Sequence, residues 1–527
     1  MPTAKVLIGG TWRAARGDSS FRAHNPATGE GLAEEYPVSE WSDCDEMLTA
    51  ATEAAVALRS TSSDKISRCL IRFAERLEAR RGELIEMAHL ETALPKSPRL
   101  GDVELPRTMT QLRQAAAAAL EGSWSLPTID AKLNIRSCLA AIGPVALFGP
   151  NNFPFAFNAT SGGDFAAAIA AGNPVIAKGH PSHPGTTRLL AEEAFAAIGE
   201  TGLPAATLQM IYHIAPEHGL RLVADPRVGA SAFTGSRRGG LALKAAADAA
   251  GKPIYLEMSS LNPVVILPGA LKERAAKVAD DVADNCLAGT GQFCTKPGLI
   301  FLVDGPQTLE LIAAVKQRFE SRPPGALFSA PVLAGLSDNI ATVRRAGAEL
   351  VAGGAAGSPG YRFGNTLLRV EAARFLNHPE ALQIEMFGNA TLLVICRDIG
   401  QIVEAIGMLE GNLTGCVYSH TTGEDDAAYE PVAAALCPRV GRLLNDKMPP
   451  GVALSAAMNH GGPFPSTGHP GFTAVGIPAS LRRFAMLQCY DNVRPARLPL
   501  ILGDKNPGKA WRCIDGQWTQ GDVAAKG

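Results

Sequence analysis

Ala141-Ile-Gly-Pro-Val-Ala-Leu-Phe-Gly-Pro-Asn-Asn-Phe-Pro154 is a short apolar run that stops at a Gly-Pro pair and passes into two asparagines. We read its first part, Ala141–Phe148, as a strand, and the pattern repeats downstream. Further strands are expected at Pro174–Lys178, Thr207–Ile211, Gly229–Phe233 and Pro253–Glu257. Alanine-rich helices are expected between them at Gly163–Ala171, Pro184–Ile198, Glu217–Ala224 and Arg238–Ala250. Strands that alternate with helices need right-handed crossovers, which yield a parallel sheet covered on both faces. Ligands of such sheets collect at the carboxyl ends of the strands.

A second alternating series follows Glu257, with strands near Pro263–Leu267, Leu299–Val303, Thr391–Cys396, Gly415–Ser419 and Arg439–Leu444 and helices such as Leu271–Ala288 and Ile402–Leu409. It predicts a second α/β domain. Upstream of residue 122 the chain has a strand-like start and then helical patterns around Cys44–Leu58, Asp64–Leu90 and Val103–Leu120, with Asp64 offering an N-cap. The tail from Ser480 to Gly527 is richer in Arg, Pro and Trp and reads as strand and loop. A chain of 527 residues exceeds what one core serves at roughly 100–200 residues per domain. No repeat at solenoid spacing is present.

Composition narrows the function. Apolar residues make up 46% and charged residues 19%, below the ~25% charged of ordinary soluble domains, which points to extensive burial rather than disorder. Lys plus Arg is 49 against 51 for Asp plus Glu, with no long run of one sign. That balance sets aside nucleic acid and anionic membrane surfaces as partners. No segment reaches the ~20 apolar residues of a membrane helix, and the N-terminus lacks a secretory pattern, so a cytoplasmic location is expected. The ten cysteines are dispersed, with no C-x-x-C pair and no comb at zinc spacing, which suits a reducing compartment and no metal site.

Dinucleotide G-x-G-x-x-G, phosphate-loop, H-E-x-x-H, EF-hand and G-x-S-x-G signatures are absent. Three local features stand out instead. In Gly289-Thr-Gly-Gln-Phe-Cys294-Thr-Lys-Pro-Gly298 a cysteine sits among glycines that let the backbone approach a ligand. A cysteine is as readily a small buried filler. In Leu256-Glu257-Met258-Ser259-Ser260 a carboxylate ends an apolar strand, where it can act as a base or pair with a cation. After the first strand, Asn152 can donate to an oxyanion or simply serve the turn.

Together and in order, these pieces resemble the NAD(P)-dependent aldehyde dehydrogenases over about Gly143 to Phe484. NNFP, PVIAK, FTGS, LEMSS, GQFCT and EMFGN each match a segment of that family. The resemblance implies two parallel-sheet α/β domains, a Rossmann-like cofactor domain (1–122 and 139–257) and a catalytic domain (258–479). It adds a small β arm for oligomerisation (123–138 and 480–500) and leaves 501–527 without a role. It implies Cys294 as nucleophile, Glu257 as general base and Asn152 as oxyanion donor. Cofactor contacts would come from Lys178, the turn Gly235-Ser236, Glu385 and Phe387. In NAD-preferring members a glutamate often stands three positions after the lysine; here Pro181 does, which leans the reading to NADP with NAD as the other cofactor. His180, His183, His218 and Arg221 in the adjoining loops were candidates for extra positive charge. The activity implied is oxidation of an aldehyde to an acid through a cysteine thioester, by a homodimer or homotetramer. The Lys178–Thr186 stretch and Asn459–Pro465 are similar to 2,5-dioxopentanoate and fatty-aldehyde dehydrogenases. CoA-acylating enzymes, which do not need Glu257, and a silent member with a binding role are the competing readings.

Overall fold

Five strands pair in parallel in the order Ile254–Glu257, Ala230–Thr234, Val145–Phe148, Val175–Lys178 and Leu208–Ile211. Their side chains are buried almost throughout, as a sheet with helices on both faces requires. Beyond Leu208–Ile211 the sheet continues antiparallel through Val6–Ile8 and Thr11–Arg13. The computed structural model describes residues 3–524. Val145–Phe148 comes first in the chain but lies in the middle of the sheet, with its successor on one side and Ala230–Thr234 on the other. The strand order therefore reverses between these two, and their carboxyl ends part to leave a crevice.

The second sheet runs Glu349–Ala352, Thr366–Glu371, Ala390–Cys396, Leu299–Val303, Val264–Ile266, Asn412–Tyr418 and Val440–Asn445. Its pairings are parallel except at the Glu349–Ala352 edge. Both Thr366–Glu371 and that edge strand went unread in the sequence. No helix among the described residues is long and apolar enough to cross a membrane. None of the ten cysteines is in a disulfide.

Three local readings need correction. Ala141–Phe148 is not one strand: Ile135–Ala141 belongs to a separate sheet and Val145–Phe148 to the first, with Gly143 at φ 115° making the turn. Asp64–Leu90 is not one helix but Ser63–Ala79 and Arg81–Thr92, broken at Arg80 (φ −101°, ψ 12°), whose guanidinium pairs with Glu83, Glu192 and Glu193. Amphipathic spacing survives a one-residue break, so periodicity does not register it. The cap of the first helix is Ser62, which accepts from Lys65 N at 3.3 Å, while Asp64 lies in the first turn.

The separate sheet has five strands: Ala485–Asp491, Ile135–Ala141, Thr128–Asp130, Arg512–Ile514 and Gln517–Thr519. Its second strand runs on to Ala141, past the expected boundary at 138. Two of its strands come from the tail that had no assigned role; residues 525–527 of that tail lie outside the described residues. A buried guanidinium ties the tail down: Arg512 donates to Gly503 O at 2.5 Å and Gly521 O at 2.9 Å. Arg136 donates to Leu502 O at 2.6 Å and pairs with Asp504. Replacing Arg512 by Leu orphans these carbonyls and is expected to cost roughly 2–4 kcal/mol. Hydrogen exchange followed by mass spectrometry should quicken across 500–521 ahead of the two parallel sheets; unchanged exchange there would mean other contacts hold the tail.

Candidate active site

Glu257 is the last residue of its strand and Asn152 lies in the loop after Val145–Phe148, so both stand at carboxyl ends beside the crevice. Cys294 follows the helix Pro268–Leu287 through a tight turn in which Gly289, Thr290 and Gly291 all have positive φ. The turn must be this narrow because a Cβ on Gly291 would fall 2.1 Å from Gly388 O. That close approach sets the cysteine loop against the Glu385–Phe387 segment. Lys296, fully buried, holds the same junction by donating to Met386 O at 2.8 Å and Ala390 O at 2.6 Å. Asn262, at φ 50°, donates to Cys294 O at 2.9 Å and Lys296 O at 3.0 Å.

At the centre, His460 Nε2 lies 3.0 Å from Glu257 Oε1 and 3.5 Å from Cys294 Sγ. The imidazole and carboxylate are buried, and Glu257 Oε2 has no hydrogen-bond partner. His460 reaches this place because Met258 N donates to Ser466 O at 2.8 Å and Thr467 bridges Glu257, laying the 460–468 segment along the end of the strand. Donor atoms of Glu257, Cys294 and His460 lie within 4.8 Å of one another, so the trio could also hold a soft divalent ion, which would block the thiol. Asn152 Nδ2 donates to Gln292 O at 3.0 Å, leaving its second amide hydrogen for another acceptor. Phe153 packs edge-on against both Phe157 and Phe293, and Phe157 lies beside His460, giving an apolar wall.

The Cys294 thiol is pushed well above its ordinary range, first by burial and then by the negative charge of Glu257. At rest it is therefore protonated, and its nucleophilicity depends on an acceptor for that proton. The imidazole and the carboxylate beside it are such acceptors. No spacing in the sequence links residues 257 and 460, so His460 was quoted within Asn459–Pro465 without a role. Lys296 was likewise read only as part of the Gly289–Gly298 stretch, and Asn262 lies just beyond the Leu256–Ser260 stretch.

The crevice itself is a cavity of about 510 Å³. Asn152, Lys178, Gly235, Ser236, Glu257, Cys294, Glu385 and Phe387 all line it; Pro181 stands in the loop beyond His180 and does not. Ser236 caps the helix Arg237–Ala249, accepting from Gly239 N at 3.2 Å, and the free N–H groups of that first turn favour an anion. Burial lowers Lys178 to about 8 and raises Glu385 to about 7. His183 Nε2 donates to Pro150 O (2.9 Å) within the fold, and burial holds His183 and His213 near 4 and His180 well below its ordinary value. His180 and His183 are therefore neutral near pH 7 and add no positive charge. Arg221 is stacked on Trp41, 3.7 Å from the ring centroid, and His218 packs against the same ring. An extended anionic ligand fits this cleft: glycines floor it, a helix N-terminus faces it and one lysine ends in it.

A crevice at a strand-order reversal, with a thiol, a base and an amide at its inner end, defines a dinucleotide-dependent enzyme with a cysteine nucleophile site. The aldehyde dehydrogenase family model matches residues 12–442, and the chain belongs to that family. It is an NAD(P)-dependent oxidoreductase that takes a small aldehyde to the carboxylic acid. Alpha-ketoglutaric semialdehyde dehydrogenase 2 of Azospirillum brasilense is 36% identical over 98% of this chain and 99% of its own length. An alpha-ketoglutaric semialdehyde dehydrogenase of Acinetobacter baylyi is 33% identical over 91% and 92%. Among solved structures, the NAD+ complex of aldehyde dehydrogenase from Bacillus cereus superposes with a TM-score of 0.79 over 93% of this chain and 96% of that one, at 20% identity.

Because the Glu257 charge raises the thiol, Glu257→Gln should lower its pKa and speed alkylation of Cys294 by iodoacetamide severalfold at mildly alkaline pH. Mass spectrometry of the labelled peptide reads this; slower labelling would mean that the carboxylate already draws the proton away at rest.

Proposed function

We propose that this enzyme oxidises α-ketoglutarate semialdehyde (2,5-dioxopentanoate) with NADP in preference to NAD, using Cys294 as nucleophile. The observation that carries the chemistry is the contact of one imidazole with both the Cys294 thiol and the Glu257 carboxylate. The substrate follows from the two relatives that match nearly end to end. A cofactor domain of residues 1–122 and 139–257 and a catalytic domain of 258–479 would share the cleft. Assembly as a homodimer or homotetramer through the arm, in the cytoplasm, completes the reading.

The thiol passes its proton to the His460–Glu257 pair as sulfur attacks the carbonyl carbon. The carbonyl π bond opens onto oxygen, and the free Asn152 amide hydrogen and the Cys294 backbone N–H receive that oxyanion, at roughly 3–4 kcal/mol per donor. Lys178 would hold the adenosine ribose, Gly235 and Ser236 the pyrophosphate, and Glu385 with Phe387 the nicotinamide ribose. When bound, NAD(P)+ supplies the hydride acceptor. Loss of hydride from the adduct carbon leaves a thioester on Cys294. With the thiol's proton held on His460, Glu257 takes a proton from the water that attacks the thioester; as the C–S bond breaks the departing sulfur recovers the His460 proton, the acid is freed, and Glu257 gives its proton to solvent. The absence of a carboxylate at Pro181 removes a repulsion from the 2′-phosphate of NADP, which supports the cofactor preference.

Cys294→Ala is expected to abolish cofactor reduction, read by absorbance. Glu257→Gln should keep a single-turnover burst while losing steady turnover by a factor of roughly 10²–10⁴, since deacylation needs the base. Strict dependence of turnover on added CoA would overturn the hydrolytic route. Pro181→Glu should raise KM for NADP about tenfold or more and leave NAD nearly unaffected; equal effects on both would remove this position from cofactor choice.

A further inference from the structure

A semialdehyde of this class carries a carboxylate remote from the reacting carbon, and a charge taken out of water needs a partner. Two arginines near Cys294 lack one. Arg107, in the first turn of the helix Leu105–Glu121, donates Nη1 to Val452 O, while its Nε and Nη2 are buried without partners. Arg442, in the strand Val440–Asn445, donates Nη2 to Pro449 O at 2.7 Å, and its Nε is likewise buried and unpartnered. The carboxylate next to Arg107 is already engaged: Glu104 pairs with Arg99 and accepts from Phe155 N at 2.8 Å and Ala156 N at 3.0 Å. Both arginines grip one loop, between residues 449 and 452, and Arg442 reaches on to Met458 Sδ at 3.8 Å. That loop runs straight into His460, which touches the Cys294 sulfur. Neither arginine is among the residues that line the cofactor crevice. Burial lowers both groups from their ordinary value, an ionised Cys294 acts to raise them, and a guanidinium stays protonated. Both side chains are partly buried, and guanidinium N–H groups shut away without a partner are costly unless an acceptor comes to meet them.

We propose that Arg107 and Arg442 form the subsite for the distal carboxylate of the aldehyde substrate, under the loop that leads to His460. The inference rests on the semialdehyde reading above. Guanidinium forks match a carboxylate in geometry as well as charge, so two of them select a dicarboxylic semialdehyde over an apolar aldehyde of equal length.

Steady-state kinetics of the full-length enzyme and of R107M and R442M, with 2,5-dioxopentanoate and with pentanal, test it. Each substitution should lower kcat/KM for 2,5-dioxopentanoate by roughly 10–100-fold, chiefly through KM, and that for pentanal far less. R107K and R442K should recover part of the loss. If the unsubstituted enzyme itself favours pentanal, the semialdehyde reading falls. If it favours 2,5-dioxopentanoate and the variants keep that preference, only the arginine subsite falls. Should the methionine variants fail to fold, as judged by thermal melting, inhibition of the unsubstituted enzyme decides. Competition by α-ketoglutarate much stronger than by pentanoate, and weakened in the lysine variants, supports the subsite; equal inhibition by the two acids overturns it.

Discussion

One buried carboxylate with a single hydrogen-bond partner organises this molecule. Glu257 Oε1 accepts from or shares a proton with His460 Nε2 at 3.0 Å, and Oε2 has no partner at all. A half-satisfied carboxylate away from water is unfavourable for folding alone. It persists because the backbone on either side is held: Met258 N bonds Ser466 O, and Thr467 bridges the end of the strand. The same pairing lays the 460–468 segment between the two parallel sheets. The thiol of Cys294 thus lies against an imidazole–carboxylate pair that is buried and fixed, with one carboxylate oxygen unpartnered.

Rigid elements place the remaining groups, and polar side chains set the distances between them. Asn152 and Glu257 sit at strand ends of one sheet, with Ala230–Thr234 between their strands, and parallel sheets deliver such side chains with little freedom. Cys294 has no such support from a strand, so its loop is pinned by Asn262 through carbonyls and by Lys296 across to Met386 and Ala390. Those buried donors account for why residues far from the reacting atoms are polar in an otherwise apolar interior.

Charge is unevenly distributed around the thiol. On the crevice side the histidines are kept neutral by burial, Lys178 is the single cation aimed into the cleft, and a helix N-terminus supplies oriented N–H groups. Outside the crevice lining stand Arg99, stacked on the Phe153 and Phe293 rings, and Arg107 and Arg442. Arg99 is balanced by Glu104 and stacked 4.5 Å from the Phe153 centroid, while the other two are not balanced.

The alternating apolar runs after residue 141 were enough to read two parallel sheets, since strands buried on both faces and separated by helices have few other solutions. Glu257, Cys294, Asn152 and the crevice residues were legible because short, ordered motifs at strand ends carry local signals. The break at Arg80 and the division of Ala141–Phe148 between two sheets were not, because each turns on one residue whose partners are distant in the chain. The tail strand Arg512–Ile514 joins its sheet by pairing with Thr128–Asp130, about 384 residues away in the chain, and carries Gln517–Thr519 with it as a hairpin. His460, Lys296 and the arginine pair belong to the same class. Sequence alone determined the order of elements and the candidate residues that meet in the crevice, since both readings depend on neighbours along the chain. Tertiary structure decided which side chain touches the thiol and what Arg107 meets, because those contacts span 166 and 345 residues of chain and no periodicity encodes them.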